Sequence, residues 1–435
     1  MKQPSFKRYV VFWLSQSVSQ LGSSMTSFAL VLWAYEQTNS AMSVSLMSFC
    51  RYLPYILVSL FAGAFVDTHK KKTIMLVSDT LAAVCSFVIF LSGTLGILEI
   101  WHIYAVNFII GFMNSVQSPA MTVAIGRMVP KERLGQVSGM SSLSSNLITI
   151  MCPAAASALY AFGGLNTILF VDLFSFLFAF FVLLVFIYVP EEGSVQKKRV
   201  SPLQGCVEGF RFLHSHRGLW TIVMTMCVIN FLSRLTYENI LSPMLISRSG
   251  GTAAVGIVNA VIGIGGVVGG LLVSTGKMSK DNIKLIYFSA GISFLTGDLL
   301  MALGRNSFVW ALAGIAASVP IPFITAGQNV ILYQKVPSEM QGRTFAVRNA
   351  LQFSSIPVGI LLGGFLADSV FEPFMASQSA FAGVLQRLVG SGAGSGMAVM
   401  FLCTSICGTL FSFLCYRSKG IDELRAPAQD KSGVE

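Results

Sequence analysis

Residues 63–72 read Gly-Ala-Phe-Val-Asp-Thr-His-Lys-Lys-Lys, and residues 270–277 read Gly-Leu-Leu-Val-Ser-Thr-Gly-Lys. Each closes a long apolar run and turns into a basic connection. Gly63 falls on Gly270, Asp67 on Ser274 and Lys70 on Lys277 at one offset of 207. A second stretch, Val129-Pro130-Lys131-Glu132…Gly135, meets Val336-Pro337-Ser338-Glu339…Gly342 at the same offset. Two matches in different connections at one offset signal an internal repeat. It superposes the apolar run at 218–246 on the run at 9–35.

Working outward from these connections, apolar runs occupy 9–35, 42–66, 73–95, 102–126, 136–162 and 166–189, and then 218–246, 253–276, 282–303, 307–333, 345–370 and 396–416. Each is near bilayer thickness, which takes about 20 residues. Backbone polar groups in lipid must pair within the segment, so each run is expected to be a helix. The fold class expected is therefore all-α and polytopic, about 12 transmembrane helices in two six-helix repeats. The repeats span 1–190 and 218–416, joined by a cytoplasmic linker at 191–217 and followed by a polar tail at 417–435 expected to be disordered. Val207, Phe210, Phe212 and Leu213 lie among charges in the linker and predict a short interfacial helix there. Residues 371–395 form the longest outer loop.

The composition agrees. Of 435 residues, 54% are hydrophobic and 11% charged, with mean hydropathy +0.71. Soluble domains carry about 25% charged residues. The net charge of +10 raises the question of nucleic acid, but its distribution answers it. Lys and Arg collect in alternate connections (Lys70 to Lys72, Lys131, Arg133, Lys197 to Arg199, Lys335, Arg343, Arg417), whereas the intervening ones hold Arg248, Arg305 and Arg387. That asymmetry places both termini in the cytoplasm of a bacterial inner membrane protein. No nucleic-acid partner is expected. The eight cysteines lack metal-site spacing, and none is expected to pair. No cofactor is expected, and no nucleophile–base pair or metal cluster is visible within the spans. Enzymatic activity is therefore not expected.

The connection at 63–72 resembles the main signature of the major facilitator superfamily, matching its Gly, Asp and basic run at Gly63, Asp67, Lys70 and Lys71. Thr68 and Lys70 depart from the superfamily's usual Arg and Gly. The resemblance implies that Asp67 latches the two halves in an outward-facing state, with Arg127 or the start of the eleventh span as its partner. Gly111-Phe-Met-Asn-Ser-Val-Gln117-Ser-Pro119-Ala120, Phe170-Val-Asp172-Leu-Phe-Ser-Phe176 and Phe371-Glu-Pro-Phe…Gly394-Ser-Gly396 are similar to the macrolide-efflux branch. Members of that branch expel hydrophobic antibiotics, and relatives export siderophores and other metabolites. Two superfamily signatures are altered: Asn107 stands where the fourth span usually has Arg, and the fifth-span motif reads Cys152-Pro153-Ala-Ala-Ala156-Ser157. Small residues there would still allow close helix approach.

An ionisable residue in a span costs about 2.5–3.5 kcal/mol, so each needs a reason. Arg234 and Glu238 share a helix face at i, i+4. In the resembled fold spans 1, 4, 7 and 10 line the cavity, which makes Glu238 the first candidate for binding a proton or a cationic substrate. The competing reading is a permanent intrahelical ion pair. Arg51 has no acidic residue in its own span and either meets a substrate anion or forms a structural bridge. Asp79, Asp172 and Asp298 fall on spans away from the expected cavity and read as packing groups; Arg348 could snorkel to the cytoplasm. Gln16 and Gln20, Asn114 and Gln117, and Gln328 and Asn329 complete the expected cavity lining. No phosphate-binding loop of an ATP motor occurs. The function expected is export of small hydrophobic or amphipathic compounds by proton antiport, by a monomer. A dedicated siderophore or metabolite exporter and a non-transporting scaffold or sensor remain open.

Overall fold

The computed structural model describes residues 6–129, 134–188, 202–249, 251–274, 281–337, 340–377 and 379–425. Among them there is no strand. The first five helices are α1 (Phe6–Thr38), α2 (Ala41–Thr68), α3 (Lys71–Thr94), α4 (Ile100–Met128) and α5 (Leu134–Val185). Helix α5 carries two crossings in one element, broken where Gly163 leaves helical geometry and Gly164 adopts φ 68°; that left-handed conformation strains any residue with a Cβ. Then follow α6 (Pro202–Ser215), α7 (Arg217–Thr236), α8 (Leu241–Ser249), α9 (Ala253–Ser274) and α10 (Asn282–Ile292). A π-turn at Ser293–Asp298 leads into α11 (Leu299–Leu303), followed by α12 (Ser307–Ser318), α13 (Ile321–Lys335) and α14 (Gln341–Leu366). After a second π-turn at Ala367–Phe371 come α15 (Glu372–Ala376), α16 (Ala380–Val389), α17 (Ser395–Tyr416) and α18 (Lys419–Arg425).

Among the described residues ten segments are long and apolar enough to cross a membrane, the longest being Leu147–Val185. Counting that segment as two and adding the 33-residue α1, whose Ser and Gln lower its hydropathy, accounts for the expected crossings. The lipid-facing stripe is plain on the second arm of α5, where Phe170, Phe174, Leu177, Phe181 and Leu184 are all exposed at helical spacing. The repeat is visible in local structure too: Val129 and Val336, related by the offset, are each 3% exposed. Each follows the end of its helix, α4 or α13, in extended conformation.

By packing, the chain forms two compact units. The first comprises residues 1–199, 239–263 and 360–370; the second comprises 200–238, 264–359 and 371–435. In the first unit glycines set the closest approaches. A Cβ on Gly111 of α4 would lie 2.1 Å from the Arg51 carbonyl oxygen of α2, and one on Gly364 of α14 would lie 2.3 Å from Ser45 Oγ. Gly256 of α9 packs on Ser157 and Pro153 of α5, so the altered fifth-span motif does permit close approach.

Polar side chains staple helices within each unit. Asp172 on α5 accepts hydrogen bonds from Ser23 Oγ (3.0 Å), Thr26 Oγ1 (3.0 Å) and Ser86 Oγ (2.9 Å), joining α1, α3 and α5. In the second unit Asp298, 1% exposed, accepts from Thr404 Oγ1 at 2.6 Å. Within membranes such bonds contribute about 0.6 kcal/mol each. Lys72 Nζ donates to the Leu184 and Ile187 carbonyls at 2.9 and 2.8 Å, satisfying carbonyls near the end of α5.

Two connections differ from the sequence expectation and a third follows it. The start of the tail is helical: Ile421 of α18 is fully buried in an apolar cluster with Leu213, Leu219 and Ile222. Gly420 and Gly218 let α18 lie against α7. The outer loop at 371–395 is also folded, through α15 and α16. Glu372 accepts from the backbone N–H groups of Gly394 (3.3 Å) and Met397 (3.0 Å) at the start of α17. A Cβ on Gly396 would lie 2.4 Å from Glu372 N, which explains the Glu-Pro and Gly-Ser-Gly pieces of that loop. The linker helix does form, as α6, with Val207 and Phe210 exposed and Leu213 buried; residues 189–201 and 426–435 lie outside the described residues.

Candidate functional site

The apolar core of the first unit falls into two clusters. One gathers Tyr9, Phe12, Ala62, Met75, Ala120 and Met128; the other gathers Met25, Ala29, Met47, Ile89, Ile103 and Leu169. Each contributing helix carries polar residues between these clusters. Helix α1 supplies Gln16, Gln20, Ser23 and Ser27, spaced so that one face carries them all. Helix α2 supplies Arg51 and Tyr55, α3 Asp79 and Ser86, α4 Asn107, Asn114 and Gln117, and α5 Ser141 and Asp172. Together they enclose a cavity of about 510 Å³, within the range of small-molecule pockets.

The cavity is electrostatically uneven. Arg51 Nη1 donates to Ser27 Oγ at 2.9 Å. Pro54 within α2 cannot donate to the Cys50 carbonyl one turn back, and Gly111 packs against the Arg51 carbonyl, so α4 lies directly on the α2 backbone at the residue that carries the guanidinium. Asp79 accepts a hydrogen bond from Gln117 Nε2. Asn107 returns its amide to the Ile103 carbonyl at 2.9 Å.

Of the residues singled out from sequence, the structure brings Gln16, Gln20, Asn114, Gln117 and Arg51 together here. Asp79 and Asp172 join them, contrary to the expectation that both stand away from the cavity. Asp172 is the packing group expected, saturated by three hydroxyls; Asp79 opens onto the space. The missed signal lay on α1, where the Gln16–Gln20 face continues through Ser23 and Ser27.

Arg234, Glu238, Gln328 and Asn329 belong to the second unit. Helix α7 ends at Thr236, residues 237–240 form turns, and Arg234 is ion-paired with Glu238. Tyr237 packs edge-on to Phe401 with ring centroids 5.3 Å apart. Asn329 accepts from Arg348 Nη1 at 3.0 Å, so a neighbouring helix holds Arg348. Gln328 is 6% exposed.

At the expected gate, Gly63 and Asp67 fall within α2 and Arg127 within α4. The side chains of Asp67 and Arg127 lie outside the described residues, and with them the expected latch. Lys70 precedes α3 and is exposed. Lys71, 3% exposed, donates to the His69 carbonyl at 3.0 Å.

A chambered helical membrane protein of this kind has relatives. Macrolide efflux protein A of Streptococcus pyogenes is 27% identical over 369 residues, covering 83% of this chain and 90% of that protein. Multidrug efflux pump Tap of Mycolicibacterium fortuitum is 23% identical over 370 residues, 80% and 86% of the two chains. Among solved structures, a bacterial homologue of the human lysosomal transporter Spinster superposes with TM-score 0.69 at 15% identity, covering 98% of this chain and all of that one. A bacterial homologue of the iron transporter ferroportin does so with TM-score 0.68 at 12% identity over 96% of this chain. The sequence model of the Major Facilitator Superfamily matches residues 12–360. This chain is a multi-pass membrane transporter, not an enzyme, and it belongs to the Major Facilitator Superfamily.

Proposed function

We propose that the protein is a secondary active exporter of small hydrophobic or amphipathic compounds, driven by proton antiport. The observation that carries this reading is the polar cavity between two apolar clusters of the first unit. Burying that many amides and charges in a membrane bundle costs free energy unless they meet cargo. Similarity to macrolide and multidrug efflux proteins over four-fifths of the chain supports the direction of transport. The repeat and the positive-inside asymmetry support alternating access by two six-helix halves in a bacterial cell membrane, with both termini cytoplasmic.

Coupling is assigned to Glu238, whose ion pair with Arg234 would open when the carboxylate takes a proton. The test is ethidium or macrolide efflux from cells expressing the protein, with and without an uncoupler. Efflux should stop on uncoupling, and Glu238→Gln should lose coupled transport at unchanged expression. Efflux that persists in de-energised cells overturns proton antiport.

A dedicated metabolite exporter is the second reading, favoured by the amide- and hydroxyl-rich wall of the cavity. One compound moved well, against many moved modestly, in a flux panel on inverted vesicles would select it.

A further inference from the structure

Arg51 and Asp79 line one cavity, carry opposite charges and do not pair. Among the described residues no carboxylate forms an ion pair with Arg51, and no Lys or Arg forms one with Asp79. Arg51 is met by the Ser27 hydroxyl and Asp79 by the Gln117 amide. A charge in a membrane interior is costly without a counter-ion. Two opposite charges in one chamber would cancel that cost by meeting. Each instead stays on a neutral partner, while Gly111 of α4, packed on the Arg51 carbonyl, fixes where the Arg51 backbone lies on the chamber wall. The neighbouring carboxylate of Asp172 cannot substitute for Asp79, since Ser23, Thr26 and Ser86 already occupy it.

We propose that this cavity recognises zwitterionic amphiphiles, with the acidic group of the cargo on the Arg51 guanidinium and its amine on the Asp79 carboxylate. The proposal rests on the exporter reading and names its substrate class. Guanidinium and carboxylate bond each other through two parallel hydrogen bonds, and an ammonium bonds a carboxylate as a point charge. A cargo with one charge leaves the other wall charge desolvated and unpaired, a penalty large enough to discriminate. Gln20 and Asn114 offer amide contacts to the polar part of the cargo between its two charges.

The experiment uses the full chain in nanodiscs and four probes on one scaffold, with binding read by calorimetry. These are 2-naphthylalanine (zwitterion), its methyl ester (cation), its N-acetyl derivative (anion) and the N-acetyl methyl ester (neutral). The free amino acid should bind roughly tenfold or more tightly than any of the other three. Arg51→Gln should reduce it to the level of the methyl ester, and Asp79→Asn to the level of the N-acetyl acid. Arg51→Lys, which keeps the charge, should keep a weaker zwitterion preference, and this holds the test open if Arg51→Gln does not fold. Equal binding of all four probes, binding of none, or an unchanged ranking in both neutralised variants overturns the proposal. Flux of 2-naphthylalanine and its three derivatives in proteoliposomes separates the two readings. Flux without charge discrimination defeats the zwitterion site and leaves the exporter, whereas discrimination without flux defeats the exporter and leaves the site.

Discussion

Asp368 accepts a hydrogen bond from the Ser40 hydroxyl at 2.5 Å across 328 residues of sequence, and the same carboxylate takes the N–H groups of Ala41 (3.1 Å) and Met42 (2.9 Å). A residue in the π-turn after α14 thus caps the first turn of α2 within the first unit. Ser40 in turn accepts from Ser43 N, so the helix start is held by one local hydroxyl and both oxygens of one distant carboxylate. Loss of a capping side chain costs about 1 kcal/mol, and a carboxylate at a helix N-terminus adds a favourable dipole term. Asp368→Ala should therefore lower the thermal midpoint of the purified protein by more than Ser40→Ala does. Equal midpoints for Asp368→Ala and wild type would show the cap to be energetically idle.

The Asp172 staple should be additive in its donors. Ser86→Ala removes one bond and should cost about 0.6 kcal/mol, whereas Asp172→Ala removes three and should cost about 2 kcal/mol. Stability in nanodiscs, followed by thermal unfolding of single and paired variants, checks the ratio. A Ser86→Ala cost equal to that of Asp172→Ala would mean that the other two hydroxyls contribute nothing.

Close glycines should be intolerant in proportion to what lies opposite. Gly111→Ala drives a methyl into a backbone carbonyl, and Gly396→Ala into the Glu372 N–H. Overpacking of this kind costs about 1–3 kcal/mol. Gly266, with nothing within 4 Å of an added Cβ, lies inside α9, and its change to Ala should be neutral or stabilising by about 1 kcal/mol. Melting curves of the three variants in one detergent decide the matter.

The Arg234–Glu238 pair separates coupling from structure through a double variant. If the pair only neutralises itself, Arg234→Gln with Glu238→Gln should restore the transport lost by either alone, because no buried charge is left over. If Glu238 carries the proton, the double variant should remain uncoupled while its stability recovers. Transport and thermal midpoint, measured on the same four proteins, read out the two cases.

Much of the architecture was legible because lipid imposes a coarse rule: long apolar runs, charges at their ends, one sign on one side. The offset of 207 between the repeated connections carried the rest. The site was legible only in part. Gln16, Gln20, Asn114 and Gln117 were found because amides in spans stand out against their neighbours. Asp79 was misplaced because a helix's position in a bundle does not say which way each face turns, and α3 reaches the chamber with one edge. The folded outer loop escaped for a different reason. Its α16 is 10 residues, too short to register as a crossing, and its stability depends on Glu372 reaching a helix start 23 residues later.

The burial of Ile421 carries a practical lesson for anyone trimming the chain. By hydropathy the last crossing stops at Tyr416, and a designer would cut there or attach a fluorescent reporter directly. Such a cut removes the side chain that plugs the floor of the second unit's apolar cluster and uncovers Gly218 where α7 begins. Reporters and affinity handles belong beyond Arg425.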